Sequence, residues 1–499
     1  MNRRSSQDNG HDGQENDPTN QFEVLFPPTT CSHRRKASLV MADEPKHDQP
    51  DEATACFVHS LIAGEGLTPA KIADFRVSAD KLKLEADIIN NQAAHDVAID
   101  EEVEDREPRR RSKSPLNEVE SRHLTKKQLS DMAWNVRNLS KKLGSIRLKL
   151  NVKTIFIVTK AGDETVVDAT RQVTRWLLSK DRRMEYVVYI ENKLKVDPEF
   201  DYEGLLKEDP SVKERLKFWD TKLAAEQAHL FDFVVTLGGD GTVLYTSWLF
   251  QHVVPPVLSF SLGSLGFMTK FDFNNYQKIL GSAIRDGVMV SLRLRFECTT
   301  MRSNPHKKET PASKKHRDLV EELIGEEADG SLSHRPDGVV HILNDIVVDR
   351  GPNPTMSSIE LFGGDEHFTT LQADGVCIAT PTGSTAYNMA AGGSLSHPDN
   401  PVILITAICA HTLSFRPIIL PDTVVLRVGV PYDARTSSWA SFDGRQRVEL
   451  LPGDYVTVSA SRYPFANVLP HEGRHDDWIH SLSKTLNWNT RQRQKPMQR

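Results

Sequence analysis

The chain has 499 residues, 38% of them hydrophobic, enough for two folded domains plus unstructured segments. A formal net charge of -6 and a pI near 6.3 leave no footprint for nucleic acid or an anionic membrane. Five cysteines without C-x-x-C spacing argue against a disulfide framework or a zinc site. No apolar run approaches the ~20 residues that span a bilayer, and the first residues fit neither a secretory signal nor a basic transit peptide. The expectation is a soluble cytoplasmic protein with no nucleic-acid or membrane partner.

Residues 1–123 are polar and charged, as in "DEEVEDREPRRRSKSPLNEVESR", and are expected to be disordered. Leu61–Asn90 holds at most a short helix, with no core to join. "RRKAS" puts arginines before Ser38, and "RRRSKSP" sets Ser112 behind arginines and Ser114 before Pro115. These are either sites where protein kinases regulate the protein or parts of a solvated charge run.

A folded region is expected from Leu124, with residues 124–288 forming a Rossmann-like α/β domain. "TIFIVTK" (Thr154–Lys160) is a β-branched run of the kind buried in a parallel sheet. Asp163 caps a predicted helix that carries Val166, Val167, Val173, Trp176 and Leu177 at helical spacing. Further strands are predicted at Met184–Glu191, Phe231–Leu237 and Pro255–Gly263. Strands alternating with helices imply α/β layering.

After Gly287 the pattern changes. "VMVSLRLRFECTTM" places Val290, Leu292, Leu294 and Phe296 at period two, so residues 289–465 read as a β-rich domain. "VVHILNDIVVD", "SSIELFGGDEHFTTLQA", "VILITAI", "TVVLRVGV", "SWASFDGRQRVEL" and "DYVTVSAS" continue it. Turns are signalled at Gly363 and Asp443. A polar insert from Ser303 to Arg335 has no strand character and is expected to be a disordered loop. In residues 466–499, Trp478, Ile479, Leu482 and Leu486 mark a helix expected to pack on the first domain.

Chemistry concentrates first in "VVTLGGDGTVLY", where a strand runs into a helix through glycines. Such a turn offers backbone N–H groups and the positive end of a helix dipole to phosphate. Gly238, Gly239 and Gly241 leave the approach open, and Thr242 opens the helix. No Lys-Ser/Thr pair follows, so this is not a Walker A loop, and it is not the G-x-G-x-x-G fingerprint. Asp240 is out of place beside phosphate. It holds a divalent cation, accepts a proton from an attacking hydroxyl, or simply caps the helix.

A second constellation is "QADGVCIATPTGSTAYNMAAGGSLSHP". Thr380, Thr382, Ser384, Thr385 and Tyr387 give five hydroxyls in eight positions, with small neighbours that leave the backbone accessible. This suits a sugar and phosphate edge, although Ser384 or Thr385 also reads as an ordinary N-cap. A third is "LNDIVVDRGP", which pairs Asn344 with Asp345 at a strand kink and offers a donor, an acceptor and an acid for ribose hydroxyls.

Together these motifs, with "ICAHTLSFRPIILP" and "SFDGR" after them in order, resemble the ATP-NAD kinase family of the eukaryotic, fungal-like type over roughly Thr125–Trp488. The resemblance implies an N-terminal Rossmann-like domain, a C-terminal β-sandwich and a site between them. It implies transfer of the γ-phosphate of ATP to the adenosine 2′-hydroxyl of NAD or NADH, with Mg2+ or another divalent metal held mainly by the ATP phosphates and no protein metal ligands assigned. Homo-oligomers are implied as well. Asp240 would be the proton acceptor, with Gly238, Gly239, Gly241 and Thr242 at the phosphates. NAD would meet Asp240, Gly241, Asn344, Asp345, Asp374, Thr385, Ala386, Tyr387, Asn388, Met389 and Ala390. Many members have Asn-Glu where this chain has Asn344-Asp345. His411 and Arg416 lie in a family motif but read as a buried His and a packed Arg.

Two other functions remain in view. Lipid kinases also carry a G-G-D-G turn, but they need an apolar substrate slot where this chain has hydroxyls. A catalytically silent NAD(P)-binding regulator would have no need of Asp240.

Overall fold

The computed structural model describes residues 120–160, 164–179, 185–263, 265–304, 317–324, 333–364, 366–411, 414–470 and 476–488. The N-terminal serines and Asp163 lie outside these. The expected architecture is found: a mixed α/β layer with a mainly parallel sheet, followed by an antiparallel β-sandwich.

The first sheet runs in the order Leu216–Trp219, Val187–Glu191, Thr154–Thr159, Phe233–Leu237, Val257–Ser261, Phe465–Leu469, Met289–Arg293, with Phe271–Asp272 beside Val257–Ser261. Pairing is parallel as far as Phe465–Leu469, which joins Met289–Arg293 antiparallel. Alternation divides the strands between two cores. Ile155, Ile157, Phe233, Val235 and Leu258 face one, with helices Glu164–Leu177 and Tyr276–Asp286 over it. Phe156, Val158, Val234 and Val257 face the other, beneath helix Asp240–Leu249. Burial on both faces explains the near-continuous apolar runs in these strands.

The sandwich stacks two six-stranded sheets around Phe296, Ile346, Val348, Ile359, Val376, Ile405, Val428 and Val456. Between the domains lies Arg295. Its buried guanidinium donates to the carbonyls of Phe250, Gln251, His252 and Tyr463 at 2.6–3.0 Å and of Ser247 at 3.3 Å. It thereby satisfies the carbonyls at the C-terminal end of helix Asp240–Leu249. Burial pushes its pKa down to about 9, which still leaves it charged at neutral pH.

Several expectations are corrected. Folded structure begins before Leu124: Ser121 is buried and gives its N–H and hydroxyl to the Glu297 carboxylate at 2.5 and 2.9 Å. The run from Met289 does not open the sandwich, because Met289–Arg293 completes the first sheet and only Phe296–Ser303 enters the second domain. Period two is the same for either sheet, so spacing did not separate them. Strands Leu216–Trp219, Ile418–Pro421 and Phe465–Leu469 were not predicted.

The insert is not wholly a loop. Helix Leu319–Ile324 buries Leu319 and Leu323 against Met301, Phe362 and Tyr455, while Ser303 and His334–Arg335 belong to strands. The four apolar residues of this helix, Leu319, Val320, Leu323 and Ile324, span less than two helical turns, too short a run to show periodicity.

Candidate active site

Strand Phe233–Leu237 ends at Gly238, whose φ of 150° and lack of a side chain let the backbone pass over the Thr242 hydroxyl. Gly239 is the extended N-cap and Asp240 the first helical residue. Gly239 and Gly241 are exposed beside the strand end, and of the first-turn N–H groups that of Thr242 donates to the Gly239 carbonyl at 2.9 Å. The Thr242 side chain is buried under Gly238. It supports the turn from beneath.

Asp240 does not cap its helix. Its carboxylate accepts the N–H groups of Phe267 at 2.8 Å and of Met268 and Thr269 at 3.0 Å, plus the Thr269 hydroxyl at 3.0 Å. Any side chain at Gly266 would run into this carboxylate. The loop after Gly263 therefore orients Asp240, a partner that turn chemistry alone did not reveal.

From the sandwich, the Asn344–Asp345 pair is brought to the same place by the hairpin at Asp443. Asp443 and Gly444 both take left-handed φ, 49° and 65°, at the centre of a turn closed by the Arg445 N–H on the Phe442 carbonyl at 2.9 Å. The half-buried Asp443 accepts through its carboxylate from the N–H groups of Leu343 and Asn344 at 2.8 Å and of Asp345 at 3.0 Å. Arg445, two residues on, reaches the other domain: Nη2 donates to the Gly241 carbonyl at 3.0 Å. Leu343 itself is buried in the core beneath the glycine turn. One hairpin thus touches both constellations. The "DG" signals a turn in the sequence, but the reach of its own carboxylate to Leu343–Asp345 and of the next residue's guanidinium to Gly241 leaves no local pattern.

Asn344 is buried, and its Oδ1 has no hydrogen-bond partner. An unpaired buried acceptor costs on the order of 1–3 kcal/mol, which a donor on a ligand would relieve. Asp345 is buried beside Asp443, and burial first, then the Asp443 charge, raise its pKa to about 7.

The hydroxyl-rich turn folds over the start of the same strand ladder, in which Asp345 pairs with Ala379. Thr380 N–H donates to the Asn344 carbonyl at 2.8 Å, and Gly383 lies where any side chain would strike that carbonyl. Tyr387 is 46% exposed, Ala390 is exposed, and Thr385, Ala386 and Met389 are half-buried. Asn388 is different. Its side chain is fully buried, donating to the Ser384 and Ser394 carbonyls and accepting from Thr406 at 2.8 Å, so it pins the turn from inside.

Asp374 stands apart. It precedes Gly375 and lies five residues from Ala379, about 16 Å away at ~3.3 Å per residue, and it pairs with Arg350 at 2.9 Å. His411 and Arg416 are exposed, not buried. Among the described residues no group of three or more His, Cys, Asp or Glu converges as a metal site.

Two family models match this chain in succession. The ATP-NAD kinase N-terminal domain matches residues 155–288, and the ATP-NAD kinase C-terminal domain matches residues 343–469. The chain belongs to the ATP-NAD kinase family. Within that family, the NAD(+) kinase of Saccharomyces cerevisiae is 44% identical over 370 residues, covering 74% of this chain and 66% of that one. ATP-NADH kinase YEF1 of the same yeast is 40% identical over 366 residues, covering 73% of this chain and 70% of that one. An uncharacterized kinase of Schizosaccharomyces pombe is 44% identical over 378 residues, 76% of this chain and 88% of its own length. Among solved structures, yeast NADH kinase complexed with NADH superposes with a TM-score of 0.56 at 28% identity, over 69% of this chain and 90% of that one.

Proposed function

We propose that this ATP-NAD kinase transfers the γ-phosphate of ATP to the adenosine 2′-hydroxyl of NAD or NADH in the cleft between its two domains. The observation that carries the reading is the Asp443–Arg445 hairpin, which sets Asn344 and Asp345 opposite the glycine turn that holds Asp240. A phosphate donor suits the turn, where N–H groups and the helix dipole favour anions. The dinucleotide suits the sandwich side, where an unpaired amide oxygen and an acid recognise donors such as ribose hydroxyls.

In this reading Asp240 receives the 2′-hydroxyl proton. The loop at Phe267–Thr269 holds its carboxylate in one orientation, so no reorganisation is needed when the hydroxyl arrives. The divalent cation enters as part of the ATP complex, and among the described residues no group of three or more His, Cys, Asp or Glu converges to hold it. Tyr387 offers an exposed ring, and Thr385–Ala390 supply backbone to the dinucleotide, with Asn388 as their anchor. Asp374 lies too far along the strand to share the same contact with Asn344, and serves a different part of the ligand.

No helix among the described residues is long and apolar enough to cross a membrane. We extend the proposal to a cytoplasmic homo-oligomer in which protein kinases act on Ser38, Ser112 or Ser114, supported by the family resemblance and the basic sequence around those serines. The test of function is direct. Purified protein is supplied with ATP, Mg2+ and NAD or NADH, and product is scored with a dehydrogenase specific for NADP or NADPH. Product formation is expected, and its absence from folded protein would overturn the reading.

A further inference from the structure

Arg445 has no part in the reaction as described above. Its side chain leaves the sandwich domain and lies against the first turns of helix Asp240–Leu249. There Nη2 donates to the Gly241 carbonyl at 3.0 Å and the guanidinium sits 4.6 Å from the centre of the Tyr245 ring. Neither partner is an anion. Among the described residues no carboxylate pairs with Arg445, and the acid that acts on it from a distance, Asp443, has its oxygens turned to three backbone N–H groups. Burial lowers the guanidinium's pKa, its largest effect, yet arginine remains a cation at physiological pH.

The Arg445 cation is exposed, has only neutral partners in contact, and lies beside the first turn of the helix that the glycine turn opens. The helix supplies oriented N–H groups from one domain, and Arg445 supplies full charge and a planar fork from the other.

We propose that Arg445 is a catalytic residue whose guanidinium meets the phosphoryl group in transit from ATP to the dinucleotide. This rests on the function proposed above. In the transfer the O2′–Pγ bond forms, the bond from Pγ to the ADP oxygen breaks, and its electron pair leaves with ADP. The 2′ proton passes to Asp240. Arg445 forms no covalent bond; it stabilises the charge spread over the phosphoryl oxygens, the term that dominates such reactions. Because Arg445 shares its hairpin with Asp443, which anchors Asn344 and Asp345, seating the dinucleotide and seating the cation are one movement.

The competing role is a latch between domains. Full-length Arg445→Ala, Arg445→Lys and Tyr245→Leu separate the two when kcat, both KM values and melting temperature are measured. Arg445→Ala should lower kcat by roughly 10²–10³ with each KM within a few-fold. Millimolar guanidinium should restore part of that turnover, and Arg445→Lys should fall in between because an ammonium lacks the fork. Tyr245→Leu removes the ring beneath the cation and should keep most of kcat. The proposal is overturned if Arg445→Ala turns over within three-fold of wild type, or if only a KM rises. It is equally overturned if Tyr245→Leu loses as much kcat as Arg445→Ala with the same drop in melting temperature, which marks a latch. If wild type makes no phosphorylated dinucleotide, the function reading fails first and this proposal falls with it. A wild type that is active beside an equally active Arg445→Ala would sink this proposal alone.

Discussion

The Asp443 carboxylate lies 2.8 Å from the backbone nitrogen of Asn344 and accepts its hydrogen bond, so a hairpin turn in one strand pair sets the strand kink in its neighbour. The same carboxylate takes the N–H groups of Leu343 and Asp345. Three donors that the kink removes from the ladder are thereby satisfied by one side chain.

Replacing Asp443 should therefore disturb both stability and the dinucleotide. Asp443→Ala leaves buried N–H groups without an acceptor, at roughly 1–3 kcal/mol. A lowered denaturation midpoint together with a raised KM for NAD is expected. If KM for NAD holds while stability falls, the kink does not position the ligand groups.

Asp345 carries a pH prediction. Its pKa is raised to about 7 by burial and by Asp443, against about 4 in an unfolded chain. An acid raised on folding binds its proton more tightly when folded. Its contribution is favourable below pH 4 and is lost progressively as pH rises to about 7. Asp345→Asn should thus be the more stable protein at pH 8, by on the order of 4 kcal/mol for about three pKa units at ~1.4 kcal/mol each. The two should converge near pH 4. For wild type, KM for NAD should rise as pH falls from 8 to 6, because the protonated acid is the weaker acceptor. Flat stability and flat KM across that range would mean that Asp345 ionises normally.

Much of the fold was legible because its strands are either wholly apolar or strictly alternating. The boundary of the domains was not, since Phe465–Leu469 returns to a sheet begun some three hundred residues earlier and no local pattern records that partner. At the site, the glycine turn, the Asn-acid pair and the hydroxyl run were readable from residue type. Asp240's grip on Phe267–Thr269, the inward turn of Asn388 and the reach of Arg445 depend on contacts between distant segments. Asp443 and Asp345 were both visible as acids, but the burial that raises the Asp345 pKa, and the nearness of Asp443 that adds to it, depend on the folded packing.

The N-terminal edge of the fold can be located by truncation. A chain beginning at Glu120 keeps Ser121 on Glu297, whereas one beginning at Leu124 strands a buried carboxylate whose pKa burial already raises. The shorter chain should be less stable by about 1–3 kcal/mol. Equal melting temperatures for the two would show that the Ser121 contact contributes nothing.

The central claim is that Asp240 serves the attacking 2′-hydroxyl. Asp240→Asn keeps the size of the side chain and, with its oxygen in place of Oδ1, three of the four loop hydrogen bonds, loses the one from the Phe267 N–H, and removes the proton-accepting charge. The decisive measurement is kcat for this variant with ATP, Mg2+ and NAD, on protein shown to melt cooperatively. A fall of roughly 10²–10⁴ is predicted, the usual span for a positioned acid–base group. Turnover within a few-fold of wild type would contradict the account and leave Asp240 as no more than the tie between its helix and the loop.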